Sequence, residues 1–368
     1  MERKPVMLIL TSTDEYGGAS AVLASAVRAA GTHNVVVLDE RRYDGRIKGG
    51  ALDRLMFWND EYKLFAAKKA TAKQVFGSRR ADRDGGKLSG RNRRIANAVK
   101  RYRPECVVTL TPYAQVAAAD AKKKAGFAVP IIYFMSGFTV RESDASDGAD
   151  VYIVENGDMK TALTRAGVPS RRIMTMGLPY DAARLTPLEI ESAKQELGLP
   201  KTPTVFVNAR GRRAAVELAG LLTDQGGIIN SVFYAEEGKT ASALRAEADA
   251  AAGESNLAVL TKPELFDEYM GVSDIVVTRY DPSVVYRAFK TGKPVIVLPE
   301  RKSAAADIAY LTAENLIIRT ADNIDVVASV YRLMQTDTAT ELAESGIRRT
   351  EMYSLDNAVG YLTGFIGL

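Results

Sequence analysis

"DIVVTRYDPSVVYRAFKTGKPVIVLP", residues 274–299, reads as strand, tight turn, helix, turn and strand. The first turn is Tyr280-Asp281-Pro282-Ser283. Asp281 followed by Pro282 is a strong helix start, because the carboxylate accepts from the first free N–H groups and proline fits the first helical position, where no donor is needed. The flanking runs are β-branched and almost wholly apolar. Strands of that kind, separated by helices, belong to parallel sheets buried on both faces.

The same alternation extends over the whole chain. "VMLILT", "NVVVLD", "ECVVTLT", "PIIYFM", "VYIVEN" and "RIMTMG" fill the first half, and "TVFVNA", "SVFYAE", "NLAVLT", "DIVVTR", "PVIVLP" and "NLIIRT" the second. The expected fold is α/β, with two Rossmann-like domains facing a central cleft. Residues 1–177 form the first domain and 178–352 the second. Residues 353–368, with the apolar stretch "SLDNAVGYLTGFIGL", form a helix that crosses back to the first. "GLPYDAARLTPLEIESAKQELGLPKTP", with four prolines, is read as a linker plus one helix.

Composition narrows the chemistry. With 368 residues, 46% hydrophobic and 26% charged, the chain has the balance of a globular protein of two ordinary domains. Its single cysteine, Cys106, lies inside an apolar run and is expected to be a buried structural thiol, which excludes an intrachain disulfide framework and suits a reducing, cytoplasmic setting. The only histidine, His33, falls in the turn "GTHN" and is expected to be solvated, so no histidine triad or histidine-rich metal site can form without it. No apolar run reaches the ~20 residues that span a bilayer.

Charge is unevenly distributed. Residues 63–103 hold 14 Lys and Arg against two acids, a local +12, while the remainder of the chain is −8. Just before and within this block, Leu55, Trp58, Tyr62 and Phe65 recur at helical spacing. Beside Lys68, Lys69, Arg79 and Arg80 they suit an anionic membrane surface, where each basic residue contributes on the order of 1 kcal/mol. The plain alternative is a core-facing helix next to a solvated basic face. Nucleic acid is the less favoured partner for the same charges.

In open parallel sheets, ligands bind beyond the carboxyl ends of the strands, where helix N-termini point free N–H groups at anions. Four loops matter most: "TSTDEYGGASAV", with Gly17-Gly18 before a helix starting near Ser20; "FMSGFTVRES"; "NARGRR"; and "TRYDPS". Their layout, with "LILTSTDEYGGASAVLASAV", "GADVYIVENGDMKTALTRAGVPSRRIMTMGLPY" and "KTGKPVIVLP", resembles the GT-B glycosyltransferases. The branch is the one containing monogalactosyldiacylglycerol synthase, the bacterial diacylglycerol glucosyltransferases and the lipid II-forming N-acetylglucosaminyl transferase.

The resemblance implies transfer of a hexose from a UDP-linked donor, without a cofactor or metal, to a lipid or related acceptor at the cytoplasmic membrane face. It places Tyr16, Gly17, Gly18, Ser20, Ser136 and Arg141 at the acceptor loops. Asn208, Arg210, Gly211, Arg212, Arg279, Tyr280 and Ser283 fall at the donor loops. The chain departs from the family in several places. Ser20 replaces the first-loop histidine, and Ser136-Gly137-Phe138-Thr139 replaces a segment whose aspartate serves the acceptor. Tyr280-Asp281-Pro282 stands for Pro-Gly-Gly, Arg287 for the ribose-holding glutamate, and "RKSAAAD" (301–307) for the sugar-reading Gly-Gln-Glu. Without histidine, the base for an acceptor hydroxyl is expected to be Asp14 or Glu15, although acids before a helix are also simply good electrostatics. "ESDASDGAD", with Glu142, Asp144, Asp147 and Asp150, is expected to be a solvated acidic loop rather than a metal site. The competing reading is a catalytically inactive pseudoenzyme, because a capping carboxylate at Asp281 repels a diphosphate.

Overall fold

The computed structural model describes residues 4–11, 17–39, 90–146, 148–209, 211–223, 228–250, 256–299 and 304–364. They divide into two compact units, residues 1–180 with 353–368, and residues 181–352.

The first unit is built on a parallel sheet of β1 (Val6–Thr11), β2 (Asn34–Asp39), β3 (Cys106–Thr109), β4 (Ile131–Phe134), β5 (Val151–Val154) and β6 (Ile173–Thr175), in the order β2-β1-β3-β4-β5-β6. Met7, Leu8, Ile9 and Leu10 are wholly buried, as a strand covered on both faces requires. Around the sheet lie α1 (Gly17–Ala29), α2 (Gly90–Tyr102), α3 (Pro112–Ala125) and α4 (Gly157–Arg165). Helix α1 begins at Gly17, earlier than the expected start near Ser20, so Gly17 and Gly18 form its first turn rather than a loop before it. Thr111 caps α3 by accepting from Ala114 N at 3.2 Å, and Gly126, in the left-handed conformation at φ 70°, ends it.

The second unit carries β7 (Thr204–Asn208), β8 (Asn230–Tyr234), β9 (Asn256–Leu260), β10 (Ile275–Thr278), β11 (Val295–Val297) and β12 (Ile318–Arg319), all parallel, in the order β12-β11-β10-β7-β8-β9. Its helices are α5 (Pro187–Glu196), α6 (Arg212–Thr223), α7 (Lys239–Ala250), α8 (Phe266–Val272), α9 (Pro282–Lys290), α10 (Ala305–Ala313), α11 (Asn323–Gln335) and α12 (Thr338–Glu351). Residues 274–299 form β10, α9 and β11, as the opening stretch requires. Helices α9 and α12 pack so closely that a Cβ at Gly346 would lie 2.9 Å from the Phe289 ring. Ordinary side-chain contacts are 3.4 Å or more, so glycine is what permits this approach.

A last helix, α13 (Leu355–Gly364), returns to the first unit. Leu355, Ala358, Val359 and Leu362 are buried on it, and Ala26 and Ala29 of α1, with Ala30 just after it, line a shallow groove with Val359, Gly360 and Thr363. His33 differs from expectation. It is only 6% exposed, its Nδ1 lies 2.9 Å from Thr32 Oγ1, and its Nε2 is 3.8 Å from Glu105 Oε2. The turn tucks its ring under the start of β2 instead of leaving it in water.

Candidate functional site

Each sheet has a point where the order of strands reverses, and the crevice there is where open α/β sheets take ligands. In the second unit it lies between the neighbouring strands β7 and β10, which diverge to β8 and β11. Their carboxyl ends are tied together. Asn208 Nδ2 donates to Thr278 Oγ1 at 3.2 Å, Thr278 Oγ1 donates to the Arg279 carbonyl at 2.7 Å, and Arg279 N donates to the Asn208 carbonyl at 3.1 Å. Beyond β10, Tyr280 is buried and its hydroxyl donates at 2.8 Å to Asp307, a carboxylate only 3% exposed in the first turn of α10.

Two helices open onto this crevice, and their N-termini differ. At α9, Asp281 has extended backbone (φ −144°, ψ 114°) and accepts from Ser283 N at 2.9 Å, so the helix supplies its own anion. At α6, Gly211 has φ 94°, a conformation that suits only glycine, and exposed Arg212 and Arg213 follow in a first turn that holds no acid. Positive side chains beside the positive end of a helix dipole are unfavourable unless an anion joins them. The first turn of α6 thus carries positive charge and no acid of its own, whereas α9 is capped by the Asp281 carboxylate.

Arg287 lies on α9, one turn beyond Ser283. It is ion-paired to Asp267, its Nε donates to the Ser283 carbonyl at 3.1 Å, and its guanidinium lies 5.3 Å from the centre of the Phe266 ring. Arg287 itself is largely buried, and the exposed Asp267 balances its charge. Ser283 thus serves Arg287 with its carbonyl and α9 with its N–H.

In the first unit the reversal lies between β1 and β3. The ends of β1, β3, β4 and β5 carry neutral polar groups that are nearly all buried: Thr11, Thr111, Ser136 and Asn156, with Ser20 of α1 also buried. Ser136 Oγ donates to the Leu110 carbonyl at 3.3 Å. The Thr11 hydroxyl has no hydrogen-bond partner among the described residues. After β4 the loop is fastened from beneath: Tyr133 donates to Asp144 at 2.8 Å, Arg141 N donates to the same carboxylate at 2.7 Å, and Tyr180 donates to the Ser136 carbonyl at 3.3 Å. Asp144 is 3% exposed, which corrects the solvated reading for that residue, while Asp150 is exposed: the Asp144 carboxylate is a structural acceptor that holds the Ser136–Arg141 segment in place.

Sequence reasoning missed Glu155. This carboxylate at the end of β5 has no solvent exposure and is hydrogen-bonded by the Asn156 amide, while Asn156 Oδ1 caps α4 by accepting from Met159 N at 2.8 Å. The signal was the polar pair "EN" directly after the apolar run "VYIV". The structure brings Asn208, Gly211, Arg212, Arg279, Tyr280 and Ser283 to one end of the second sheet, and Ser20 and Ser136 to one end of the first. Asp14, Glu15, Tyr16, Arg210, Trp58, Phe65, Lys68, Lys69, Arg79 and Arg80 lie outside the described residues. The described end of the basic block is α2, which buries Ile95, Ala98 and Val99 and exposes Arg93, Lys100 and Arg101.

Cys106 is fully buried, and burial, helped by the Glu105 charge, pushes its thiol up to about 12, so it is not a nucleophile. No cluster of His, Cys, Asp and Glu suited to a metal ion occurs among the described residues. Among them, no helix is long and apolar enough to cross a membrane.

No protein-family model matches the sequence, and no curated protein sequence matches it. Solved structures match over nearly the full length. UDP-GlcNAc 2-epimerase from Neisseria meningitidis, bound to UDP-GlcNAc, shares 14% identity over 99% of both chains with a TM-score of 0.59. MurG from Acinetobacter baumannii shares 12% over 99% of both, at 0.62, and HepE from Anabaena, in complex with UDP and glucose, shares 13% over 99% of both, at 0.58. At such identities the likeness shows the fold, and that fold is GT-B: two Rossmann-like units, each a six-stranded parallel sheet with flanking helices.

Proposed function

We propose that the chain binds a nucleotide sugar, UDP-linked, at the carboxyl ends of β7 and β10 and transfers its hexose to a hydroxyl of a lipid or related acceptor at the cytoplasmic membrane face. One observation carries this reading: the second unit's crevice presents a helix start flanked by Arg212, Arg213 and Arg279, with no acid in its first turn. A diphosphate supplies the missing negative charge, and guanidinium groups chelate its oxygens. Structures of the same fold bound to UDP, or to UDP-GlcNAc, support the choice of ligand.

In the proposed reaction a carboxylate, Asp14 or Glu15, takes the proton of the acceptor hydroxyl as its oxygen bonds to the anomeric carbon. The bond from that carbon to the donor phosphate breaks, and the arginines stabilise the charge on the departing UDP. The exposed basic face of α2 supports an anionic surface as the place where the acceptor is met.

The second reading, a non-catalytic GT-B subunit, is favoured by Asp281, whose carboxylate fills the α9 terminus. Calorimetry with UDP, UDP-glucose, UDP-GlcNAc and GDP-mannose tests the first step, and labelled-sugar transfer to diacylglycerol vesicles tests the second. Binding of a UDP sugar with transfer is the expected result. Binding without transfer selects the non-catalytic reading, and the absence of binding by any nucleotide overturns the donor site. Sugar conversion without an acceptor points instead to epimerisation, the activity named for the Neisseria protein.

A further inference from the structure

The opposite end of the second sheet carries a second concentration of charge. Strand β10 pairs Ile275 with Val205 of β7 and Val276 with Val295 of β11. Extending both registers downward places Thr204, Asp274 and Lys293 side by side at the amino-terminal edge. Asp274 Oδ2 accepts from Thr204 N and from Lys194 Nζ of α5, each at 2.8 Å. Arg184 joins from the segment before α5: its Nε lies 3.7 Å from where a Cβ at Gly292 would stand, next to Lys293. Asp274 therefore pairs directly with Lys194, while Lys293 and Arg184 beside that pair make no ion pair among the described residues. By contrast Lys290, close by in sequence, has Asp181 as its own partner.

Lys293 is 8% exposed, an unusual place for an ammonium group. Its backbone N is committed to the Ala288 carbonyl at 2.8 Å, which fixes the turn that carries it inward. Buried charges are normally paired, and a buried cation among further cations is costly unless an anion completes the group.

We propose that the amino-terminal edge of the second sheet is a binding site for a small dianion, a phosphate or phosphomonoester, held by Arg184, Lys194 and Lys293. The site is separate from the nucleotide-sugar crevice, which lies at the other end of the same strands, and it does not depend on that assignment. Its protonation is linked to occupancy. Burial first, then the charges of Lys194 and Arg184, push the Lys293 amine down to about 8 against the opposing pull of Asp274. A bound dianion favours the ammonium form, so binding takes up a proton where the free amine is neutral and weakens as pH rises through that range.

Sulfate is the cleanest probe, because it stays a dianion across this interval. Calorimetric titration of sulfate into the full chain at constant ionic strength should show affinity falling about tenfold from pH 7 to pH 9, the factor expected for one proton with a free value near 8. Lys293→Met should bind sulfate at least tenfold more weakly at pH 7 and lose the pH dependence. Lys194→Gln, at the edge of the cluster, should weaken binding but keep it, which guards against a folding defect in the first variant. Equal sulfate affinity in Lys293→Met and the parent overturns the site, as does parent binding that does not change with pH or does not exceed that of chloride. Inorganic phosphate compared with glycerol 3-phosphate then identifies the ligand. Equal affinity points to free phosphate, and a gain for the ester points to a phosphomonoester.

Discussion

The two strand-order reversals have the same geometry and opposite chemistry. In the first unit the strand ends carry hydroxyls, with an amide and one wholly buried carboxylate at the end of β5; at β7/β10 lie arginines and one helix start without an acid beside a second that Asp281 caps. The sheets themselves differ in order. Counted from its first strand, the second unit follows 3-2-1-4-5-6, and the described strands of the first follow 2-1-3-4-5-6. A fold that repeats its scaffold thus need not repeat its ligand. The second crevice carries unneutralised positive charge at one helix start, whereas the polar groups of the first are mostly spent on holding loops and helix starts.

The largest test of that contrast is Asn156→Ala. It removes the α4 cap and one partner of buried Glu155, so stability in urea should fall by about 3 kcal/mol, while UDP affinity stays unchanged; a matching loss of UDP binding would mean that the first unit also holds the nucleotide. Arg279→Ala should do the reverse, weakening UDP by about 1.5–3 kcal/mol in calorimetry with little change in the unfolding midpoint. Asp281→Ala mixes the two effects. It should cost about 0.5–2 kcal/mol of stability through the lost cap and strengthen diphosphate binding, because a repelling charge has gone. If Asp281→Ala instead loses UDP with stability intact, that carboxylate touches the ligand directly.

The smallest effects come from groups outside both crevices. Cys106 should not react with a thiol reagent at pH 8 in the folded protein and should react fully in denaturant. Lys293 offers a pH test of sign. Its folded value lies below the ordinary 10.5, so between about 8 and 10.5 the unfolded chain binds the extra proton and stability rises with pH. Lys293→Met should lack that rise, and the difference between the two proteins should shrink as pH climbs through this window.

The twelve strand runs were legible because buried parallel strands are near-continuous apolar stretches, and each one appears in the described sheets. Asp281-Pro282 was legible for a local reason: capping depends on residues adjacent in sequence. Glu155, the Asp144–Tyr133 pair and the burial of His33 were not, since each depends on a partner or a packing surface that only the fold supplies. The contrast between α6 and α9 falls between these cases. Both helix starts could be found in the sequence, but only the sheet order places them at the same crevice.

The return of α13 to the first unit has a consequence for the order of synthesis. The alanine face of α1 is made before the second unit, yet the helix that covers it is not complete until residue 364. The second unit, by contrast, is contiguous over residues 181–352 and can fold as soon as it has been made. A ribosome-bound chain stalled before Leu355 should therefore carry a finished second unit and a first unit with an open seam along α1, the surface on which a chaperone or a stray apolar segment would find its hold.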